Sequence, residues 1–196
     1  MQNSKQQENK IFNNHPLHKM IGRELQNFKS EYCIILDEAC DNNMEYKQQI
    51  SLFINEKKRK NLLCKVDAMI IQKENNDYKV KVIIEIEESD FKPTTICGKY
   101  LTSALANNYS NKDGKSIHIP KNSLLFIQIV DSHKLLAKVE EKDNSKKHKQ
   151  LNIIKDEIKK NQIGSIEKYE LIFIDSSNPN FTKFKEVIKD YLTEIK

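Results

Sequence analysis

The chain has 196 residues, a formal net charge of +5 and a hydrophobic content of 38%, which fit one medium-sized domain with a packed core and a polar exterior. Its apolar runs are only as long as strands and its first ten residues are polar, so we expect a cytoplasmic protein with no transmembrane helix and no secretory signal. Its four glycines form no phosphate-binding loop, so a Rossmann or Walker nucleotide site is not expected.

The N-terminal segment predicts a tail followed by a helix. Residues 1–14 are rich in Gln, Asn and Lys, and we predict a disordered tail there, with a single domain over 15–196. Pro16 suits the first turn of a helix, and apolar spacing extends that helix to about Tyr32. Its apolar stripe consists of Leu17, Met20, Ile21, Leu25, Phe28 and Tyr32.

Polar residues lie both at the start of this helix and on its apolar stripe. His15 and His18 flank the helix start, where we expect exposed side chains rather than metal ligands. Glu24 falls on the apolar stripe, three residues after Ile21. Its carboxylate either points inward against the sheet or reaches solvent from the edge of the stripe.

A series of apolar runs then predicts strands. Short strands are expected at 33–36 and 49–54, followed by two longer runs at 64–71 and 80–87. The longer runs are rich in β-branched residues and are separated by the polar stretch 72–78, so they are predicted to form a β-hairpin.

The hairpin contains carboxylates within its apolar runs. With the turn centred in the polar stretch, paired positions have numbers that sum to about 151 or 152, so Asp67 faces Ile84 or Glu85. Glu85 and Glu87 share a face because side chains alternate along a strand. We therefore predict that Asp67, Glu85 and Glu87 lie close together.

The rest of the chain alternates between helices and strands. The predicted elements are a helix over 93–109, a strand over 123–130, a helix marked by Leu151, Ile154 and Ile158, a strand over 170–174, and a terminal helix over 184–195. This order predicts an α/β fold with a mixed central β-sheet flanked by helices. Cys64 and Cys97 lie in apolar elements, so the four cysteines are predicted to be free and buried thiols.

Three neighbouring carboxylates repel one another unless a cation lies among them, and oxygen ligands suit Mg²⁺ or Mn²⁺. Asp67, followed on the next strand by Glu85-Ile86-Glu87, resembles the PD-(D/E)xK nuclease superfamily in the variant with a Glu-x-Glu motif. The sequence departs from the usual motif at two positions: Val66 stands where that motif has proline, and Glu87 stands where it has lysine.

The resemblance implies a restriction-endonuclease-like αβββαβ core and a set of roles. Asp67, Glu85 and the backbone carbonyl of Ile86 would hold Mg²⁺ or Mn²⁺, and Glu24 would hold a second ion or its hydration shell. Glu87 would orient or deprotonate the attacking water. The implied catalytic residues are Asp67, Glu85 and Glu87.

The missing motif lysine and the DNA contacts need basic residues from elsewhere. Lys92 and Lys99, in or beside the helix after the hairpin, are the nearest candidates to supply the positive group. Lys112 and Lys115, in a turn-rich loop, are further candidates for nucleic-acid contacts. An exposed lysine on a helix surface is the alternative for Lys99.

The resemblance favours a Mg²⁺-dependent endodeoxyribonuclease of the restriction type, which would act on DNA as a homodimer. A repair or junction-resolving nuclease and a catalytically inactive binding module on the same fold stay open. So does a purely structural alternative, in which Glu87, Glu88 and Asp90 are the solvated end of a strand and Asp67 pairs with Lys65 or Lys81.

Overall fold

The structure is a computed structural model that describes residues 15–41, 49–74, 77–89, 91–110, 115–137 and 141–194. The predicted tail over 1–14 and Lys112 lie outside these ranges. The helices are α1 (Pro16–Gln26), α2 (Pro93–Leu105), α3 (Ser132–Ala137), α4 (Glu141–Lys160) and α5 (Thr182–Glu194), and a 3-10 turn covers Arg59–Asn61. The strands are β1 (Cys33–Leu36), β2 (Ile50–Phe53), β3 (Leu62–Val66), β4 (Ala68–Glu74), β5 (Asp77–Glu87), β6 (Asn108–Ser110), β7 (Ser116–His118), β8 (Leu124–Asp131) and β9 (Ile166–Ile174).

The strands form two sheets. The larger sheet has the order β1-β4-β5-β8-β9, in which β1, β4 and β5 pair antiparallel and β5, β8 and β9 pair parallel. This sheet is mixed and flanked by helices, as the sequence predicts. A second, antiparallel sheet has the order β3-β2-β6-β7 and was not expected.

Each face of the larger sheet has its own core. One face packs against α1 and α5, and alternate residues of β5 such as Val82 and Ile84 lie in that core. The other face packs against α2, α4 and the second sheet, and Ile83 of β5 lies there. Because side chains alternate along β5, this pattern also fixes which face each of its carboxylates occupies. No helix of the described ranges is both long and apolar enough to cross a membrane.

The predicted hairpin register is confirmed. Ala68 pairs with Ile84, so the numbers sum to 152, and after a register shift Gln72 pairs with Lys79, where they sum to 151. The shift lies between Ile70 and Ile71. The pairing of β4 with β5 is therefore the one that a turn centred in the polar stretch 72–78 predicts.

The prediction of one continuous strand over 64–71 is wrong. β3 ends at Val66, which pairs with Ile50 in the second sheet, and β4 begins at Ala68, which pairs with Leu36 in the first sheet. Asp67 is the single residue between them. The chain passes from one sheet to the other at this residue, because β3 pairs with β2 and β4 pairs with β1.

Other element boundaries also differ from the predictions. α1 ends at Gln26 rather than near Tyr32, and shorter turns follow it. α2 ends at Leu105 because Ala106 adopts an extended backbone and the chain continues into β6. α3 was not predicted, and α4 already begins at Glu141, ten residues before Leu151, the first residue that marked the predicted helix.

The close approach of α1 to the segment after β1 depends on Gly22. A Cβ atom at this position would lie 2.1 Å from the backbone oxygen of Cys40, a distance that real Cβ atoms do not reach. The four cysteines are free, as predicted, but Cys33 and Cys97 are exposed. Burial is therefore a wrong prediction for Cys33 and Cys97, and Cys64 is only half-buried.

Candidate functional site

Two buried carboxylates and one lysine form the centre of the site. Glu85 and Glu87 of β5 are 1% and 5% exposed and lie on the sheet face that α2 covers. The Lys99 ammonium of α2 lies 2.9 Å from Glu85 Oε2 and 2.7 Å from Glu87 Oε1. Lys99 is therefore the lysine that contacts the Glu-x-Glu motif, and the exposed alternative for it is wrong.

Asp67 joins this centre from the junction between the two sheets. The Ile86 N–H donates to Asp67 Oδ2 at 2.7 Å, and the Asp67 N–H donates to the Ile84 carbonyl at 3.2 Å. These two bonds fix Asp67 beside β5, so its charge acts on both Glu85 and Glu87. Asp67 therefore lies near both glutamates, as predicted, although the ligand atoms of the three acids are not all within 4.8 Å of one another.

A second group of contacts joins the start of α1 to the end of β5. Glu88 Oε1 accepts hydrogen bonds from the backbone N–H groups of Leu17 at 2.6 Å and of His18 at 3.0 Å. The His18 ring lies with Nδ1 at 3.2 Å from Glu88 Oε1 and with Nε2 at 3.6 Å from Asp67 Oδ2. Lys134 of α3 completes the group, with its ammonium 2.7 Å from Glu88 Oε2.

These contacts overturn two expectations. His18 is 7% exposed rather than solvent-exposed, because the first turn of α1 is docked on the Glu88 carboxylate. Glu87 and Glu88 are not a solvated strand end, since both are buried. Asp90, the third residue of that alternative, lies outside the described ranges. The Asp67 carboxylate contacts His18, whereas Lys81 contacts Glu74 at 3.8 Å.

The acids of the site have pKa values that are shifted in opposite directions by burial and by neighbouring charges. Burial, with the Asp67 charge added, raises the pKa of Glu85 well above its usual range. Burial also raises the pKa of Glu87, although Lys99 opposes this. The pKa of Asp67 is lowered instead, because His18 and Lys99 outweigh the effect of burial. At neutral pH the site therefore contains one firmly ionised acid beside two that hold protons more readily.

The basic partners are held in their charged forms. Burial alone would lower the pKa of His18, but its contacts with Asp67 and Glu88 raise it to about 9. The same contacts, with Lys134, lower the pKa of Glu88 to about 2 against the effect of burial. Burial also opposes the charge of Lys99, yet the carboxylates around it raise its pKa.

The structure places the other predicted site residues as follows. Glu24 contacts Lys185 of α5 at 3.1 Å, so the residue of α1 that contacts the acids is His18 instead. Ile86 contributes its N–H to Asp67, and a role for its carbonyl stays a prediction. Lys92 is the N-cap residue of α2, and the Lys115 ammonium lies 5.3 Å from the ring centre of Tyr78.

A shallow cleft of about 120 Å³ leads to Asp67 from the side of the second sheet. Its lining residues are Asp37, Glu38, Gln49, Ile50, Lys65, Val66 and Asp67. The pKa of Asp37 is raised to about 6, first by burial and then by the charge of Asp67. Of the three predicted acids, Asp67 is the one that lines this cleft.

Two observations bear on whether the acids fit a divalent cation. Glu85 Oε1 is buried without a hydrogen-bond partner among the described residues, so one acceptor faces the site unused. Within those residues the His15, His18 and Glu88 group has ligand atoms all within 4.8 Å of one another, and Asp67, Glu85 and Glu87 do not form such a group. Mg²⁺ is commonly held by one or two carboxylates with water as the remaining ligands, and the unpaired Glu85 Oε1 is an oxygen of that kind. A Mg²⁺ site on Asp67 and Glu85 stays a prediction.

His18 and Glu88 are the site residues that the sequence reasoning missed. Glu88 directly follows the Glu-x-Glu motif and faces the opposite side of the sheet, which alternation along β5 would have indicated. Its contact with α1 spans 70 residues of sequence and has no local pattern. No family profile, curated protein or solved structure matches this chain.

Proposed function

We propose that this chain is a metal-dependent endonuclease that hydrolyses phosphodiester bonds in DNA and belongs to the restriction-endonuclease-like class. The observation that supports the proposal is the pair of buried acids Glu85 and Glu87 around Lys99, with the half-buried Asp67 beside them. Burying acids together costs stability. A group of acids with shifted pKa values, one of which lines a cleft, is typical of a catalytic site.

The order of elements supports the same class. The series α1, β1, β4, β5, α2 and β8 is an αβββαβ core, in which β1, β4 and β5 are antiparallel and β8 pairs parallel with β5. The second sheet is built mainly from segments inserted between β1 and β4 and between α2 and β8. Asp67 precedes β4 and Glu85 lies on β5, an order of acids along the strands that supports the proposal.

The residues divide the chemical work. Asp67 and Glu85 would hold the cation, which when bound would polarise the scissile phosphate and acidify the attacking water. Glu87 accepts the proton of that water. Its raised pKa is closer to neutral pH than that of an ordinary glutamate, which makes it a better base. His18 keeps Asp67 ionised by its contact with Oδ2.

Lys99 has two roles in this scheme. Its ammonium balances Glu85 and Glu87 in the structure, and it is the nearest positive group for the charge that develops on the phosphate. Lys99 thus replaces the lysine of the motif from a different element, α2 instead of β5.

Lys99→Met tests that role. We expect DNA cleavage to fall by roughly 100-fold to 1,000-fold, as when one stabilising donor is removed from an active site. Binding of Mn²⁺ is expected to persist, because the variant loses a competing cation and no ligand. Cleavage rates and calorimetric Mn²⁺ titrations measure the two effects, and unchanged cleavage would remove Lys99 from the mechanism.

The proposed function is tested by incubating the protein with supercoiled plasmid in Mg²⁺, Mn²⁺ or EDTA. We expect cleavage with either metal and none in EDTA, and we expect Asp67→Asn to abolish it. Asparagine keeps an oxygen that accepts the Ile86 N–H but loses the charge. Glu170→Gln is the matched control, because Glu170 is a carboxylate paired with Lys155 at 3.2 Å on β9, at the far edge of the larger sheet.

The products separate the candidate functions. Discrete fragments from mixed-sequence DNA support a restriction-type enzyme, and cutting only at branched or damaged DNA supports a junction-resolving or repair nuclease. DNA binding without cleavage in either metal favours the inactive binding module. If the protein neither cuts nor binds DNA, the proposal is wrong.

A further inference from the structure

A group of potential metal ligands lies at the start of α1, outside the carboxylate pair assigned to Mg²⁺. His15, His18 and Glu88 each offer one ligand atom, and these atoms all lie within 4.8 Å of one another. His18 Nδ1 is 3.2 Å from Glu88 Oε1 and His15 Nδ1 is 3.7 Å from Glu88 Oε2. We propose that His15, His18 and Glu88 bind one transition-metal ion of the Zn²⁺ type.

The distances suit tetrahedral coordination. With metal-to-ligand bonds of about 2.0 to 2.1 Å, neighbouring ligand atoms of a tetrahedron lie roughly 3.3 Å apart. The 3.2 Å separation between His18 Nδ1 and Glu88 Oε1 is close to that value. His15 Nδ1 lies 3.7 Å from the other carboxylate oxygen, Glu88 Oε2, and the ligand atoms of the three residues lie within 4.8 Å of one another. The His15 side chain is 47% exposed, so it can make the remaining adjustment without disturbing the core.

The surroundings orient two of the three ligands. Glu88 is fixed by the backbone N–H groups of Leu17 and His18 and by Lys134. His18 directs Nδ1 to Glu88 and Nε2 to Asp67 Oδ2 at 3.6 Å. A carboxylate on the far nitrogen of a ligating histidine is the usual arrangement in metal sites, because it fixes the ring and its tautomer.

The ligand types determine which metal fits. Two imidazoles and one carboxylate favour Zn²⁺, Co²⁺ or Ni²⁺, whereas Mg²⁺ prefers oxygen ligands only. The ion would replace the proton that His18 Nδ1 shares with Glu88. Three protein ligands leave a fourth position for water or another small ligand, as in zinc sites that are not fully closed.

Co²⁺ is the probe for this site, because four-coordinate Co²⁺ absorbs visible light far more strongly than six-coordinate Co²⁺. We expect the metal-free chain to bind one Co²⁺ with an intense visible band that Zn²⁺ abolishes by competition. His15→Ala should weaken this binding by at least about tenfold. It removes an exposed side chain, so the fold is preserved.

Two variants make the result decisive. His133→Ala is the matched control, since His133 is also an exposed histidine, 54% by side chain, with its Nδ1 3.8 Å from a carboxylate, that of Asp175; it should leave the band unchanged. Glu85→Gln should also leave the band, whatever its effect on Mn²⁺ binding and DNA cleavage. The proposal is overturned if no intense band forms, if His15→Ala leaves Co²⁺ affinity unchanged, or if Glu85→Gln alone removes the band.

Discussion

Glu85→Gln is expected to lower metal-dependent DNA cleavage by at least about 1,000-fold and, at the same time, to make the metal-free protein more stable. Glu85 is 1% exposed, and one of its oxygens has no hydrogen-bond partner among the described residues. Its pKa is raised by burial and by the charge of Asp67, so its ionised form opposes folding. Glutamine keeps the shape, removes the charge and cannot replace the carboxylate as a ligand.

The gain in stability of Glu85→Gln should depend on pH, because folding raises the pKa of Glu85. A glutamate whose pKa is raised by folding contributes stability below its ordinary pKa of about 4.5, and that contribution is lost as pH rises through the folded value. The advantage of Glu85→Gln should therefore grow as pH rises above about 4.5. Urea unfolding in EDTA at several pH values measures it.

Glu170→Gln supplies the comparison for Glu85→Gln. Glu170 has a lowered pKa because Lys159 and Lys155 outweigh its burial, so its ionised form supports folding. Its replacement should cost stability and leave cleavage unchanged. If Glu85→Gln is destabilising at neutral pH and cuts DNA at the normal rate, both the electrostatic account and the catalytic assignment of Glu85 are wrong.

The parts of the site that the sequence predicts are those set by local pattern. The register of β4 and β5 follows from the turn length and places Asp67 beside Glu85. The position of Lys99 in the helix after the hairpin makes it a candidate partner of the acids, and the structure places it against them. Both predictions depend on residues within 32 positions of one another in the sequence, from Asp67 to Lys99.

The parts that were missed depend on distant or weak signals. His18 meets Glu88 across 70 residues, and an isolated histidine after Pro16 gives no hint of burial. The second sheet contains strands of only three to five residues, and β6 was absorbed into the predicted helix. Glu24 matched the apolar stripe, yet a lysine on α5, Lys185, gives it a partner that no helical pattern reveals.

The contact between α1 and β5 should make stability fall on the alkaline side of neutrality. His18 has an ordinary pKa of 6.5, which Asp67 and Glu88 raise to about 9 against the effect of burial. A raised pKa means that the stabilisation is complete below about 6.5 and is lost as pH rises to about 9. At about 1.4 kcal/mol per pH unit, the metal-free protein is expected to lose roughly 3 kcal/mol across this range.

His18→Gln isolates this effect, because His15, Lys134 and the nearby acids are unchanged in it. The difference in free energy of unfolding between the native chain and His18→Gln, measured by urea titration in EDTA, should shrink steadily between about pH 6.5 and about pH 9. A difference that stays constant over that range would contradict the assignment.

Below about pH 4.5 the native chain should lose stability again, because of Glu88. Its pKa is about 4.5 in the unfolded chain and is lowered to about 2 in the folded protein, so the stability that its ionised form contributes is lost as pH falls between these two values. The docking of α1 on β5 is therefore expected to be strongest between about pH 4.5 and about pH 6.5, where Glu88 is ionised and His18 is protonated.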